Sequence, residues 1–144
     1  MEYDSEIERE LNKTVYYEKA YLYSWGRNDY GELGTGTSNG VNPIPMPVTS
    51  LINQEINFIS VGGRHSLAIT KENEILTCGS DLLGILGLDS FNWKNVTKFK
   101  KVELIERKNF IKIDCGEFHS LALTDEGNVY AWGGNLHNVS LILF

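Results

Sequence analysis

A short block that returns along the chain restricts its fold more than any other feature. Trp25-Gly26-Arg27-Asn28 comes back as Cys78-Gly79-Ser80-Asp81 and again as Trp132-Gly133-Gly134-Asn135. A period of about 54 residues implies supersecondary units that stack on one another to share a core. The detail inside the period agrees. Gly31, Leu33 and Gly34 fall on Gly84, Leu86 and Gly87, and Gly62 falls on Gly116. The run His65-Ser66-Leu67-Ala68-Ile69-Thr70 falls on His119-Ser120-Leu121-Ala122-Leu123-Thr124. Two copies are complete and a third begins.

The residues within each copy alternate with period 2, the signature of strands. Ile59 and Val61 lead to Leu67 and Ile69 in one copy; Ile111, Ile113 and Cys115 lead to Leu121 and Leu123 in the other. Between Thr70 and Ile75 lies Lys71-Glu72-Asn73-Glu74, and between Thr124 and Val129 lies Asp125-Glu126-Gly127-Asn128. Asn73 and Gly127 thus share one place, and both tolerate the left-handed backbone that such a turn demands. This predicts a hairpin in each copy, with the His-Ser strand on one arm and the Trp-Gly or Cys-Gly strand on the other. The glycine-rich stretch Asp29–Gly36 predicts a tight connection. Pro43, Pro45 and Pro47 predict an extended segment outside any ladder, and 89–101 reads as a variable surface loop.

These blocks resemble the regulator of chromosome condensation family, whose repeats carry a Trp-Gly-x-Asn-x-x-Gly-Gln-Leu-Gly block and a Gly-x-x-His-Ser-x-Ala-Leu block at this distance. The resemblance covers about residues 21–135. The chain departs from it where the Gln is Glu32 in one copy and Ile85 in the other, where Cys78 replaces the middle Trp, and after Asn135. The resemblance implies an all-β fold, a partial and incomplete β-propeller of antiparallel blades, since the family closes its ring with roughly seven repeats. Blades without neighbours leave faces and strand edges open, which invites self-association.

Outside the repeats the character changes. Residues 1–20 hold six acidic and three basic side chains, and Ser5 with Glu8 forms a capping-box pattern ahead of Ile7, Leu11 and Val15. This predicts a short helical leader. Residues 136–144 form a tail that ends in Val139-Ser140-Leu141-Ile142-Leu143-Phe144. The tail and the open ring together favour a piece of a longer propeller over a self-sufficient short protein.

A net charge of −6 and a pI near 5.0 argue against nucleic acid as a direct partner, because phosphate backbones call for a basic stripe. Lys94, Lys98, Lys100, Lys101, Arg107 and Lys108 are interrupted by Glu103 and Glu106 and read as a solvated loop. The acidic N-terminus predicts no signal peptide, no apolar run approaches a membrane span, and the reading is intracellular, cytoplasmic or nuclear. The glycosylation patterns at Asn12, Asn95 and Asn138 are then idle. Cys78 and Cys115 read as buried apolar fillers, with no Cys-x-x-Cys spacing.

No catalytic constellation, cofactor or metal site emerges. His65 and His119 recur once per copy with a serine beside each, which predicts equivalent structural positions, each imidazole bonding neighbouring backbone, and not a unique nucleophile and base. Gly34-Thr35-Gly36 lacks the Lys-Ser/Thr of a phosphate loop. The function expected is a protein-interaction scaffold without enzyme activity. Its docking residues would be the loop positions Arg27, Asn28, Asp29, Arg64, Asp81 and Glu117, with His65 and His119 near the ring axis. The alternative implied by the resemblance is part of a guanine nucleotide exchange factor for a Ran-like small GTPase, which works by coupling two affinities. The near-constant period leaves no room for an inserted hairpin to act as a wedge. A third reading, the recognition arm of a HECT-type ubiquitin ligase or a ciliary scaffold, has no ligase segment here to support it.

Overall fold

The computed structural model describes residues 22–88, 94–103 and 108–134. The acidic leader, the apolar tail, Arg107 and the patterns at Asn12 and Asn138 lie outside them. Among the described residues nine strands form in order: β1 Tyr23–Asn28, β2 Gly40–Pro47, β3 Ile56–Val61, β4 His65–Thr70, β5 Ile75–Gly79, β6 Val96–Lys101, β7 Phe110–Cys115, β8 His119–Thr124 and β9 Val129–Gly133. They make three antiparallel sheets, β1-β2, then β3-β4-β5-β6, then β7-β8-β9. Among the described residues no helix is long and apolar enough to cross a membrane.

The sheets are out of phase with the sequence repeat. The Trp-Gly block supplies β1, β5 and β9, and the His-Ser block supplies β4 and β8. A copy that begins at Trp25 therefore finishes one sheet with β1 and β2 and opens the next with β3 and β4. The reason is local: the four residues after Thr70 close a hairpin, whereas the path from β2 to β3 passes a 3-10 turn at Thr49–Leu51 and changes sheet. At the hairpins, Asn73 and Gly127 have φ of 61° and 87°, and their N–H groups donate to Thr70 and Thr124 carbonyls at 3.0 Å. The shared turn place read from the sequence holds.

Two expectations are corrected. Pro43, Pro45 and Pro47 lie in a ladder, on β2, which pairs with β1 through Tyr23↔Pro47, Ser24↔Met46 and Gly26↔Asn42. Proline is tolerated because β2 is the outer strand of its pair and because Pro43 and Pro45 fall where the register shifts between Ser24 and Gly26. Likewise 96–101, expected as loop, is β6, paired with β5 through Leu76↔Lys101, Thr77↔Lys100 and Gly79↔Val96. Lys98, Lys100 and Lys101 sit on this strand. Both outer strands lack apolar alternation because they form sheet edges, where lysine and proline are the common occupants.

Central strand β4 is buried at every position because it has a sheet on each side. Ala68 packs with Val48, Leu51 and Leu76 toward the first sheet, while Leu67 and Ile69 pack with Val102, Phe110, Ile113 and Ala122 toward the third. In β8 only alternate residues are buried: Ser120, Ala122 and Thr124 face the central sheet. The equivalent of Cys78 and Trp132 in the first sheet, Trp25, is 60% exposed.

Candidate docking face

Strand pairing brings four connections to one end of the sheets. His65 pairs with Gly79 and His119 with Gly133, so the β3–β4 and β7–β8 turns lie beside the exits of β5 and β9. Backbone bonds tie them together: Ser80 N–H to the Arg64 carbonyl at 2.9 Å, Gly134 N–H to Phe118 at 2.7 Å, and Gly63 N–H across the sheets to Gly116 at 3.2 Å.

Beneath this end runs a polar seam that repeats. Ser66 Oγ donates to the Glu32 carbonyl at 2.6 Å, and Ser120 Oγ donates to the Ile85 carbonyl at 2.8 Å. The Cys78 thiol reaches the first carbonyl at 3.5 Å, and Trp132 Nε1 reaches the second at 3.0 Å. What the seam uses at the divergent Gln position is a backbone carbonyl, so Glu and Ile serve equally. The Glu32 side chain is buried, with Oε2 accepting from Tyr30 N–H at 2.7 Å and Oε1 without a hydrogen-bond partner. Burying a carboxylate with one bare oxygen is costly. Glu32→Gln keeps an acceptor for Tyr30 and removes the charge, and is expected to raise unfolding free energy by about 1 kcal/mol in urea titration at pH 7.

Cys78 is fully buried, as expected of a filler, and burial pushes its thiol well above the usual range. Cys115 is only half-buried, with Sγ 3.4 Å from the Ser60 carbonyl, and burial pushes its pKa up to about 11. Neither is a reactive thiolate.

The eight candidate residues divide by burial. Asn28 is fully buried and organises its own loop: Oδ1 accepts from Leu33 N–H at 3.2 Å and Nδ2 donates to the Thr37 carbonyl at 3.0 Å. Asp81 does the same one copy on. It is buried, it accepts from the Leu86 N–H, and burial raises its pKa against that bond. His65 is fully buried, and its Nε2 lies 2.8 Å from Ser120 Oγ. Since the Ser120 hydroxyl proton goes to Ile85, the serine oxygen accepts, and His65 carries its proton on Nε2. Its Nδ1 has no hydrogen-bond partner among the described residues. Desolvation first, then the nearby His119, lowers its pKa to about 4.

The partner of His65 is thus a side chain of the next sheet and not neighbouring backbone. The two histidines also differ in surroundings, because His119 is half-buried where His65 is sealed.

Arg27, Asp29 and Glu117 are exposed and Arg64 is half-buried. The structure joins three of these through two rings that sequence reasoning missed. Arg27 pairs with Asp29 at 2.5 Å and lies 5.6 Å from the Tyr30 centroid. Arg64 lies 5.0 Å from the Tyr30 centroid and 5.1 Å from that of Phe118. Tyr30, Arg64 and Phe118 come from three different sheets, so this stack crosses the whole described face. The two contacts of half-buried Arg64 are worth about 0.5–2 kcal/mol each. The available signal was that Arg64 and Phe118 occupy one repeat position, where a cation and a ring alternate. Among the described residues no three of His, Cys, Asp and Glu converge as a metal site would require.

Comparison with known proteins agrees with this geometry. The family described as "Regulator of chromosome condensation (RCC1) repeat" matches residues 20–69, and a second family of the same description matches 110–138. E3 ubiquitin-protein ligase HERC2 of Homo sapiens is 38% identical over 120 residues, 83% of this chain and 2% of that protein. Ultraviolet-B receptor UVR8 of Arabidopsis thaliana is 34% identical over 83% of this chain and 27% of that protein.

Among solved structures, yeast RCC1 (Prp20) bound to Kap60 superposes with a TM-score of 0.68 at 23% identity, covering 81% of this chain and 28% of that one. Human WBSCR16 gives 0.71 at 20%, covering 81% and 29%. Prp20p of Saccharomyces cerevisiae, described with its binding to Gsp1p and histones, gives 0.62 at 24%, covering 81% and 30%. At these identities the structures establish the propeller fold, and this chain spans less than a third of each protein named.

Proposed function

This chain belongs to the regulator of chromosome condensation (RCC1) repeat family, and we propose from that premise that it is a section of a propeller scaffold that docks protein partners on its loop face. One observation carries the reading. The Arg27, Tyr30, Arg64 and Phe118 stack links three sheets at one end of the strands. Arginine and aromatic residues held rigid at a surface are the usual anchors of protein interfaces. Asn28, Asp81 and His65, buried beneath, hold the loops and seam that keep the face in place. Nothing in such a role requires bond chemistry. Binding of Prp20p to Gsp1p and histones supports protein partners in general.

A photo-crosslinking residue at exposed Glu117 is expected to capture discrete protein adducts, while the same residue at Glu72, on the opposite hairpin end, captures none. Equal capture from both ends would count against a docking face here.

The second reading, part of an exchange factor for a Ran-like small GTPase, is favoured by the yeast protein's binding to Gsp1p. It predicts accelerated nucleotide release when the GTPase meets the complete propeller.

A further inference from the structure

We infer that the strip running from Arg64 past Ser80 and Asp81 to the outer face of β6 takes an extended acidic peptide segment of a protein partner; this rests on the loop-face reading above and names the chemistry of its occupant. Two independent observations meet here. The first is Arg64. Its guanidinium carbon lies over two rings, 5.0 Å from the Tyr30 centroid and 5.1 Å from that of Phe118, contacts that use none of its N–H donors in hydrogen bonds. Among the described residues no side chain accepts from them and no carboxylate forms an ion pair with them, whereas Arg27 is satisfied by Asp29. A planar fork held in this way suits a carboxylate.

The second is a cavity of about 320 Å³ along β6, lined by Asp81, Asn95, Thr97, Lys94, Lys98 and Lys100 among others. None of these three lysines is in an ion pair among the described residues, while Lys101, which alternates to the other face, pairs with Glu74 at 2.8 Å. Lys98 and Lys100 are alternate residues of one strand, so they stand roughly 6.6 Å apart, the spacing of alternate side chains in an extended peptide.

The two features share a rim. Ser80 N–H holds the Arg64 carbonyl, and the next residue, Asp81, lines the cavity. On the far side Asn95 Nδ2 lies 3.5 Å from the Asp29 carbonyl. Arg64, Lys94, Lys98 and Lys100, none in an ion pair among the described residues, thus stand around this rim on a chain whose net charge is −6. That overall charge repels a nucleic-acid backbone, with a charge on every nucleotide, more strongly than a short acidic segment that carries fewer charges. Opposing acids are Glu117, exposed beside Gly63, and Asp81, the one whose charge burial already disfavours.

The test uses the full 144-residue chain and fluorescein-labelled decapeptides of alternating Glu-Gly, Ser-Gly and Lys-Gly, with a ten-nucleotide oligothymidylate, read by fluorescence polarisation. Glu-Gly is expected to bind about 10-fold tighter than Ser-Gly and to weaken steeply with salt. Arg64→Ala and the exposed double variant Lys98→Glu/Lys100→Glu are each expected to weaken it about 10-fold, and Arg64→Lys to recover only part, since it restores charge without the fork. Circular dichroism melts of each variant verify the fold. Equal binding of Glu-Gly and Ser-Gly, unchanged binding by the variants, or tighter binding of the oligonucleotide would each overturn the proposal. Should the peptide fail while crosslinking from Glu117 persists, the docking face stands and only its acidic occupant falls.

Discussion

Gly79→Ala is expected to destabilise the chain by about 3 kcal/mol more than Gly26→Ala does. The two glycines occupy one repeat position and have similar backbone, with φ of 118° and 108°. An L side chain there costs about 1–2 kcal/mol in either place. The difference lies in the surroundings. A Cβ on Gly79 would stand 2.3 Å from the Arg64 carbonyl oxygen and 2.6 Å from the His65 Cα, both backbone atoms of the paired strand. A Cβ on Gly26 meets nothing within 4 Å. Forcing β4 away from β5 also strains Ser80 N–H to Arg64, so the excess cost at Gly79 should reach about 3 kcal/mol, a large part of the stability of a small domain. Urea denaturation followed by circular dichroism checks this, and equal midpoints for the two variants would show that β4 yields at no cost.

The second large effect is acid destabilisation through His65. In the folded chain its pKa lies at about 4, against the usual 6.5 of an unfolded histidine. Its contribution is complete above pH 6.5. Between 6.5 and 4 the unfolded chain binds a proton that the folded chain does not, so stability falls with pH by about 1.4 kcal/mol per unit and by about 3 kcal/mol across the window. Below pH 4 both forms are protonated and this loss levels off. His65→Gln cannot titrate, so it should be less stable than the wild type at pH 7.5, where the bond to Ser120 is disturbed, and should close that gap by pH 4.5. A gap that stays constant with pH would mean that water reaches the imidazole. Partner affinity at pH 7.5 should change less than stability, because the side chain lies under the docking face and not on it.

Some of this architecture was legible in the chain because it depends on neighbours a few residues apart. Period-2 alternation in 65–70 and 119–124 marks strands whichever sheet receives them, and Asn73 and Gly127 mark turns because the backbone there needs a positive φ. The outer strands were not legible. Nothing in Pro43, Pro45 and Pro47, or in the lysines of 96–101, favours a strand; β2 and β6 exist because β1 and β5 offer a ladder edge to pair with. Of the candidate site, the exposed charges Asp29 and Glu117 were legible as loop residues, whereas Arg27, expected in a loop, lies on β1 opposite Val41 because the strand runs on to Asn28. The inward turn of Asn28 and Asp81 was not, since their partners are backbone groups of a loop whose path the residue types do not reveal.

What the amino-acid order determined by itself is the repeat, its hairpins and hence a stack of antiparallel sheets, because alternation and turn chemistry act over short separations. Only the tertiary structure decided which strands share a sheet, that His65 bonds Ser120 across two sheets, and that Tyr30, Arg64 and Phe118 meet. Those contacts join residues between 34 and 55 positions apart, and their formation depends on how one sheet lies on the next, a matter of packing that no local pattern carries.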